Sequence, residues 1–220
     1  MKRRIIETAD GSKTIQIDEW QEQYHSKHGA VQEAYHVFIK HGLEHTNLDE
    51  TNILEIGFGT GLNTLITFIE AQKKGIAIRY QGVEQFPVSP QEVRQLDYIS
   101  SLSAQKFEAT FDLMHRSLWE KEVSLAKNFV LTKQQKDFRD IIDCNLFNLI
   151  YFDAFGPRVQ PELWTEEVFQ IMYEALKKDG VLVTYSAKGS VRRAMQAVGF
   201  SVERLEGPPG KREMLRATKK

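Results

Sequence analysis

The most constraining stretch is Asn52-Ile53-Leu54-Glu55-Ile56, which runs without a break into Gly57-Phe58-Gly59-Thr60-Gly61. A short apolar run ending in alternating glycines reads as a buried strand entering a tight loop, because glycine takes left-handed dihedrals without steric cost. Directly after it, Leu62, Leu65, Ile66 and Ile69 recur at i, i+3, i+4 and i+7, the apolar face of a helix. A strand, a glycine turn and a helix N-terminus in that order aim unpaired backbone N–H groups at one place and let a ligand approach the backbone closely.

A dinucleotide fingerprint, Gly-x-Gly-x-x-Gly, needs its third glycine where Leu62 stands. The pattern present is Glu55-x-Gly57-x-Gly59-x-Gly61, the motif of enzymes that use S-adenosylmethionine, and it is favoured over a nicotinamide site or a turn without a ligand. A second predicted strand, Ile78 to Val83, ends at Glu84, whose carboxylate can accept both hydroxyl protons of a ribose.

The remaining pattern alternates strands with helices. Gly29 to Leu43 reads as a helix, Phe129 to Leu131 and Leu146 to Phe152 as strands, and Phe111 to Met114 as a further strand in an ambiguous stretch, 88–125. Thr165 N-caps a helix whose last turn is expected to hold Lys177 and Lys178, with Gly180 just beyond. A strand at Val181 to Tyr185 and a helix from Ser190 to Gly199 follow. Two final strands, Ser201 to Leu205 and Glu213 to Ala217, flank Gly207-Pro208-Pro209-Gly210. Strands joined without a crossover helix pair antiparallel when adjacent. The expected fold is therefore α/β: a Rossmann-like, doubly wound sheet ending in an antiparallel hairpin, the layout of class I methyltransferases. Residues 1–50 read as an N-terminal extension contributing to the substrate pocket and 51–220 as the catalytic domain.

At 220 residues with one cysteine, Cys144, the chain has no disulfide framework and no Cys-rich metal site. No run approaches the ~18 apolar residues of a membrane span. Basic residues open the sequence with no apolar stretch behind them, so a cytoplasmic protein without a secretory signal is expected. Five of the six histidines lie in the first 45 residues, but no ligand set accompanies them and no metal is expected. The formal net charge of −1 hides a gradient: 11 Lys and Arg stand against 4 Asp and Glu between Lys177 and Lys220. Lys188, Arg192, Arg193, Lys211 and Arg212 are the candidate phosphate contacts, unless that surface is merely solvated. Trp164 is a candidate base-stacking residue or, equally, a core residue.

Asp153 ends the strand Leu146 to Phe152, at the carboxyl edge where open α/β sheets bind ligands. It heads Asp153-Ala154-Phe155-Gly156-Pro157-Arg158-Val159-Gln160-Pro161-Glu162-Leu163-Trp164-Thr165. That block, with Tyr24-His25-Ser26, Gly29-Ala30 and Glu33 upstream, Glu55 to Asn63, and Gly210-Lys211-Arg212-Glu213-Met214, closely resembles the MnmC methyltransferase-domain family in its free-standing form, MnmD. The resemblance implies transfer of a methyl group from S-adenosylmethionine to the amine of 5-aminomethyl-2-thiouridine at the wobble position of tRNA. It implies cofactor contacts at Glu55, Gly57, Phe58, Gly59, Gly61, Asn63, Glu84, Asp137, Asp153 and Phe155. It further implies substrate contacts at Tyr24 and Ser26, with Asp153 as the catalytic residue, while the basic surface adds Lys188, Lys211 and Arg212 as substrate contacts. A chain of this length has no room for the oxidase half of the larger fusion, so another protein is expected to supply the aminomethyl form. An alkylamine resembles lysine, with a pKa of ~10.4, and is protonated and non-nucleophilic at neutral pH. A carboxylate beside it can orient it or take its proton, the role expected of Asp153. Two other readings stay open: a small-molecule N- or O-methyltransferase, and an inactive module that binds cofactor or RNA. Dependence of activity on polynucleotide separates them.

Overall fold

The computed structural model describes residues 2–220. In chain order its strands are β1 (Arg3–Glu7), β2 (Lys13–Ile17), β3 (Glu22–Gln23), β4 (Glu50–Ile56), β5 (Ala77–Val83), β6 (Glu122–Ala126), β7 (Phe129–Gln134), β8 (Phe147–Phe152), β9 (Leu176–Thr184), β10 (Ser201–Glu206) and β11 (Glu213–Thr218). The α-helices are α1 (Ala30–Ala34), α2 (Glu44–Thr46), α3 (Leu62–Lys74), α4 (Pro90–Val93), α5 (Tyr98–Ser101), α6 (Glu108–Arg116), α7 (Glu166–Ala175) and α8 (Gly189–Ala197). A π-helix, Tyr35–Leu43, joins α1 to α2, so 30–46 is one helical rod.

The main sheet has the order β10-β11-β9-β8-β4-β5-β7-β6. Strands β9, β8, β4, β5 and β7 are parallel, whereas β6, β11 and β10 are each antiparallel to their inner neighbour. This is the expected doubly wound sheet with a C-terminal hairpin. Its central strands β4, β8 and β9 are continuously buried toward their carboxyl ends because both faces are covered. Alternate residues feed two cores: Ile53, Leu149, Tyr151 and Val183 pack under the rod 30–46, α3 and α6. Leu54, Ile150, Phe152 and Leu182 pack under α7 and α8.

Three expectations change. Phe111 to Met114 belongs to α6, not to a strand: Phe111 and Met114 are buried one turn apart while Asp112 and Leu113 face outward. The outer strand β6 went unread, because its pattern is only half-buried. Helix α7 stops at Ala175 rather than Lys178, and its final carbonyls at Glu174 and Ala175 accept from Asn145 N and Leu146 N. Asp179, at φ +62, takes the left-handed position within β9, and Gly180 is not a helix cap.

Residues 3–23 form a separate three-stranded antiparallel sheet, β1-β2-β3. It is tied to the segment after β5: Arg3 Nη2 donates to Phe86 O (3.1 Å) and Lys13 pairs with Asp97 (3.2 Å). It is also tied to the segment after β8, through Arg158 and Glu22 (2.9 Å). The small sheet therefore lies against the carboxyl edge of the large one. Among the described residues no helix is long and apolar enough to cross a membrane.

Candidate active site

At the end of β4 the three glycines take φ values of +89, +48 and +73 at Gly57, Gly59 and Gly61. Each serves a different contact. A Cβ on Gly57 would lie 2.8 Å from the Asp153 carbonyl oxygen, so glycine here lets the loop touch the backbone after β8. A Cβ on Gly59 would press on the Tyr24 ring at 3.1 Å, on the cavity side. One on Gly61 would meet His115 Nε2 at 2.9 Å, behind the loop, so this glycine serves packing at the start of α3.

Four carboxylates stand around the cavity below the loop: Glu22 from the small sheet, and Glu84, Asp137 and Asp153 from the large one's carboxyl edge. Glu84, at the end of β5, accepts from Gly59 N (3.1 Å) and Phe86 N (2.8 Å), and burial raises its pKa. Asp137 caps the short turn Phe138–Asp140, and its hydrogen bonds to the Arg139 side chain hold its pKa below the usual value. Asp153 continues the β8 ladder, with its N–H donating to Ile56 O (2.9 Å). Asn63 Nδ2, in the first turn of α3, donates to Asp153 Oδ2 at 2.8 Å. Burial first, and then the nearby charges of Glu33 and Glu55, push the Asp153 pKa well above the carboxylate norm.

Of the other anticipated residues, Phe58, Phe155 and Tyr24 line the same cavity, with Tyr24 packed edge-on to Phe155 at 4.9 Å. Glu55 does not reach it. It is fully buried behind the loop, where Thr64 Oγ1 donates to Oε2 (3.0 Å), Oε1 has no partner, and burial lifts its pKa to about 8. Ser26 is also off the cavity wall, its N–H donating to Glu33 Oε2 at 2.9 Å. Lys188, Lys211 and Arg212 line a neighbouring groove. Trp164 is core: its Nε1–H donates to Phe155 O (2.8 Å) and only 5% of it is exposed. His25 is held neutral by burial, its pKa lowered to about 4, with Nδ1 at 3.1 Å from Thr14 Oγ1.

Sequence reasoning missed Trp20, which abuts Phe155 edge-on at 5.3 Å on the cavity wall. It also missed Tyr185, whose hydroxyl donates to Ala154 O at 2.8 Å. Tyr185 follows directly on β9, at the carboxyl edge, and that position was a usable signal; nothing local marks Trp20.

A family profile described as S-adenosyl-L-methionine-dependent methyltransferase matches residues 103–220. The chain belongs to that family. MnmC proteins, named as tRNA 5-methylaminomethyl-2-thiouridine biosynthesis bifunctional proteins, are similar over most of its length. The Delftia acidovorans protein is 30% identical across 89% of this chain and 32% of its own. The Idiomarina loihiensis protein is 29% identical across 87% of this chain and 34% of its own. The chain thus spans about a third of the length of the curated relatives it matches. Among solved structures, MnmC2 from Aquifex aeolicus superposes with a TM-score of 0.75 at 24% identity, over all of this chain and 71% of that one. A spermidine synthase complex gives 0.62 at 18% identity, over 99% and 70%. Both show the class I methyltransferase fold.

The cofactor of this family is S-adenosylmethionine, and the residues fit it. The Gly57–Gly59 bend leaves room that side chains would fill. Glu84 suits ribose hydroxyls, Asp137 an adenine amino group, and Asp153 the methionine ammonium, since carboxylates accept from each. Asn63 Oδ1 is buried with no protein partner, an acceptor ready for an ammonium N–H. When bound, the cofactor supplies an electrophilic methyl on a sulfonium. The protein's own contribution would be alignment: the bend and Glu84 would hold one end of the cofactor, and Asn63 with Asp153 the other.

Proposed function

We propose that the chain methylates the exocyclic amine of 5-aminomethyl-2-thiouridine at the wobble position of tRNA. The observation that carries this reading is the junction of two surfaces: Glu22, Gly156 and Tyr185 line both the Asp153 cavity and the groove that holds Lys188, Lys211 and Arg212. A base extruded into the cavity would leave its ribose–phosphate in a cationic channel, as single-strand recognition requires. The aromatic wall of Trp20, Tyr24 and Phe155 offers stacking faces and edges for a pyrimidine. The names of the MnmC relatives supply the nucleoside.

Within the cavity Asp153 holds the incoming amine against the cofactor end of the site. Its raised pKa marks a carboxyl that ionises readily only when a cation arrives beside it, so it can orient the ammonium and share its proton. Asn63 fixes the carboxyl's rotation from the opposite side. The aminomethyl acceptor requires an oxidative or transfer activity upstream of this methylation, and an enzyme with this substrate works in the cytoplasm. The test is incubation with labelled S-adenosylmethionine and tRNA from a strain lacking the modification, followed by nucleoside mass spectrometry. Label in 5-methylaminomethyl-2-thiouridine is the expected result; label confined to small-molecule amines, or no transfer, would overturn the assignment.

A further inference from the structure

Glu33 sits in α1 with its carboxylate buried, only 7% exposed, and is held from two sides. Ser26 N donates to Oε2 at 2.9 Å, and the Lys211 ammonium pairs with Oε1. The same ammonium lies 3.8 Å from the centroid of the Tyr185 ring. Tyr185 is anchored through its hydroxyl to Ala154 O, one residue beyond Asp153. Tyr185 lines both the Asp153 cavity and the basic groove, and Lys211 lines the groove, which puts this cluster at the junction of the two. A carboxylate and an aromatic face around one primary alkylammonium constitute an amine-recognition site. Here a side chain of the protein fills it.

We propose that Glu33 and the face of Tyr185 form an entry subsite that recognises the acceptor's protonated aminomethyl group before it passes to Asp153, with Lys211 as its resident cation until RNA arrives. This rests on the amine-methylating reading given above. The two cations are chemically alike: each is a primary ammonium on a methylene. Leaving Glu33 buried and unpaired is strongly unfavourable, whereas exchange of one ammonium for another conserves both the ion pair and the ring contact. Lys211 is placed for such an exchange. It follows Gly207-Pro208-Pro209-Gly210 in the turn between β10 and β11, with Gly210 at φ +82, and the turn closes on itself through Lys211 N to Pro208 O (2.9 Å) and Gly207 N to Arg212 O (3.1 Å). The displaced ammonium enters the groove where Lys188 and Arg212 already stand, and a phosphate there replaces its lost partner. RNA binding and amine admission are thereby linked. A free amine must evict Lys211 with nothing to receive it; an amine carried on RNA brings the phosphate along.

The experiment titrates cofactor-bound protein with n-propylammonium, followed by NMR shifts, in wild type, Lys211→Met, Lys211→Gln and the double variant Glu33→Gln/Lys211→Met. Lys211→Gln keeps a donor for Glu33, and the double variant removes both charges, so a folded protein is at hand even if Lys211→Met is unstable. The single variants are expected to bind the probe at least ~10-fold tighter than wild type, and the double variant to lose that gain. Equal binding in all four overturns the subsite. A second arm compares methyl transfer to the free aminomethyl nucleoside with transfer to an anticodon stem-loop carrying it. Lys211→Met should lower KM for the nucleoside while raising it for the RNA; proportional loss on both overturns the exchange. If wild type methylates neither substrate while the propylammonium series behaves as expected, the substrate reading fails and the amine subsite stands.

Discussion

Replacing Gly57 by alanine tests whether the bend after β4 is the cofactor's cradle. At φ +89 an L-residue is strained by about 1–3 kcal/mol. The added Cβ would also lie 2.8 Å from the Asp153 backbone oxygen, closer than such contacts occur, and backbone cannot swing aside as a side-chain tip can. The loop and the Asp153 segment must therefore separate. Relief of the clash in the free protein would have to be reversed on binding, so about 2–3 kcal/mol should appear as a ~30- to 150-fold weaker cofactor affinity. The assay is isothermal titration with S-adenosylmethionine or its demethylated product, alongside urea unfolding. Gly75→Ala is the control: Gly75 has φ +72 at the end of α3, but its Cβ would meet nothing within 4 Å, so stability should fall while affinity stays. A Gly57→Ala protein that binds within ~3-fold of wild type, with the Gly75→Ala protein affected equally, would refute the cradle.

Asp153→Asn should weaken cofactor binding, because the methionine ammonium loses its charged partner, and at saturating cofactor should still lower the methyl-transfer rate by roughly 10²- to 10⁴-fold, the usual range for a lost proton-handling group, as read by single-turnover assays. Because burial raises the Asp153 pKa, the carboxylate gains population only as pH climbs through that raised value, so kcat/KM should rise with pH there and the variant should lose that limb. Burial lifts the folded Glu55 pKa to about 8 from the 4.5 of a solvated glutamate, so its stabilising contribution is present at low pH and lost as pH rises toward 8. The difference in urea midpoint between wild type and Glu55→Gln should move against wild type across that window; a flat difference would contradict the assignment. Lys188→Glu and Arg212→Glu should each weaken tRNA binding and reduce the magnitude of its log–log salt slope by about 1, measured by filter binding from low to high salt.

The parts of this molecule that were legible beforehand are those fixed by local backbone demands. Gly57 and Gly59 announce a bend because glycine takes left-handed dihedrals without steric cost, and Glu84 and Asp153 follow apolar runs whose ends must meet the ligand edge. Glu55 belongs to the same motif, yet the strand's two-residue alternation turns it into the interior toward Thr64. Trp20 and Arg3 were silent: they reach the cavity only because the small sheet folds over the large one, a long-range fact with no periodicity of its own. The segment from Gln85 to Arg116 holds short helices of 4, 4 and 9 residues whose burial is intermittent, and so no period could settle there.

The reversal of β11 has a consequence for how such a protein can diverge. Leu215 pairs with Thr184, so the turn preceding β11 returns to the rim where the parallel strands terminate. A sixth parallel strand would have sent that connection to the far side. The hairpin instead adds an extra finger to the catalytic rim, covalently remote from the glycine bend, and its length and charge can be rewritten to suit a different acceptor while the donor end stays intact.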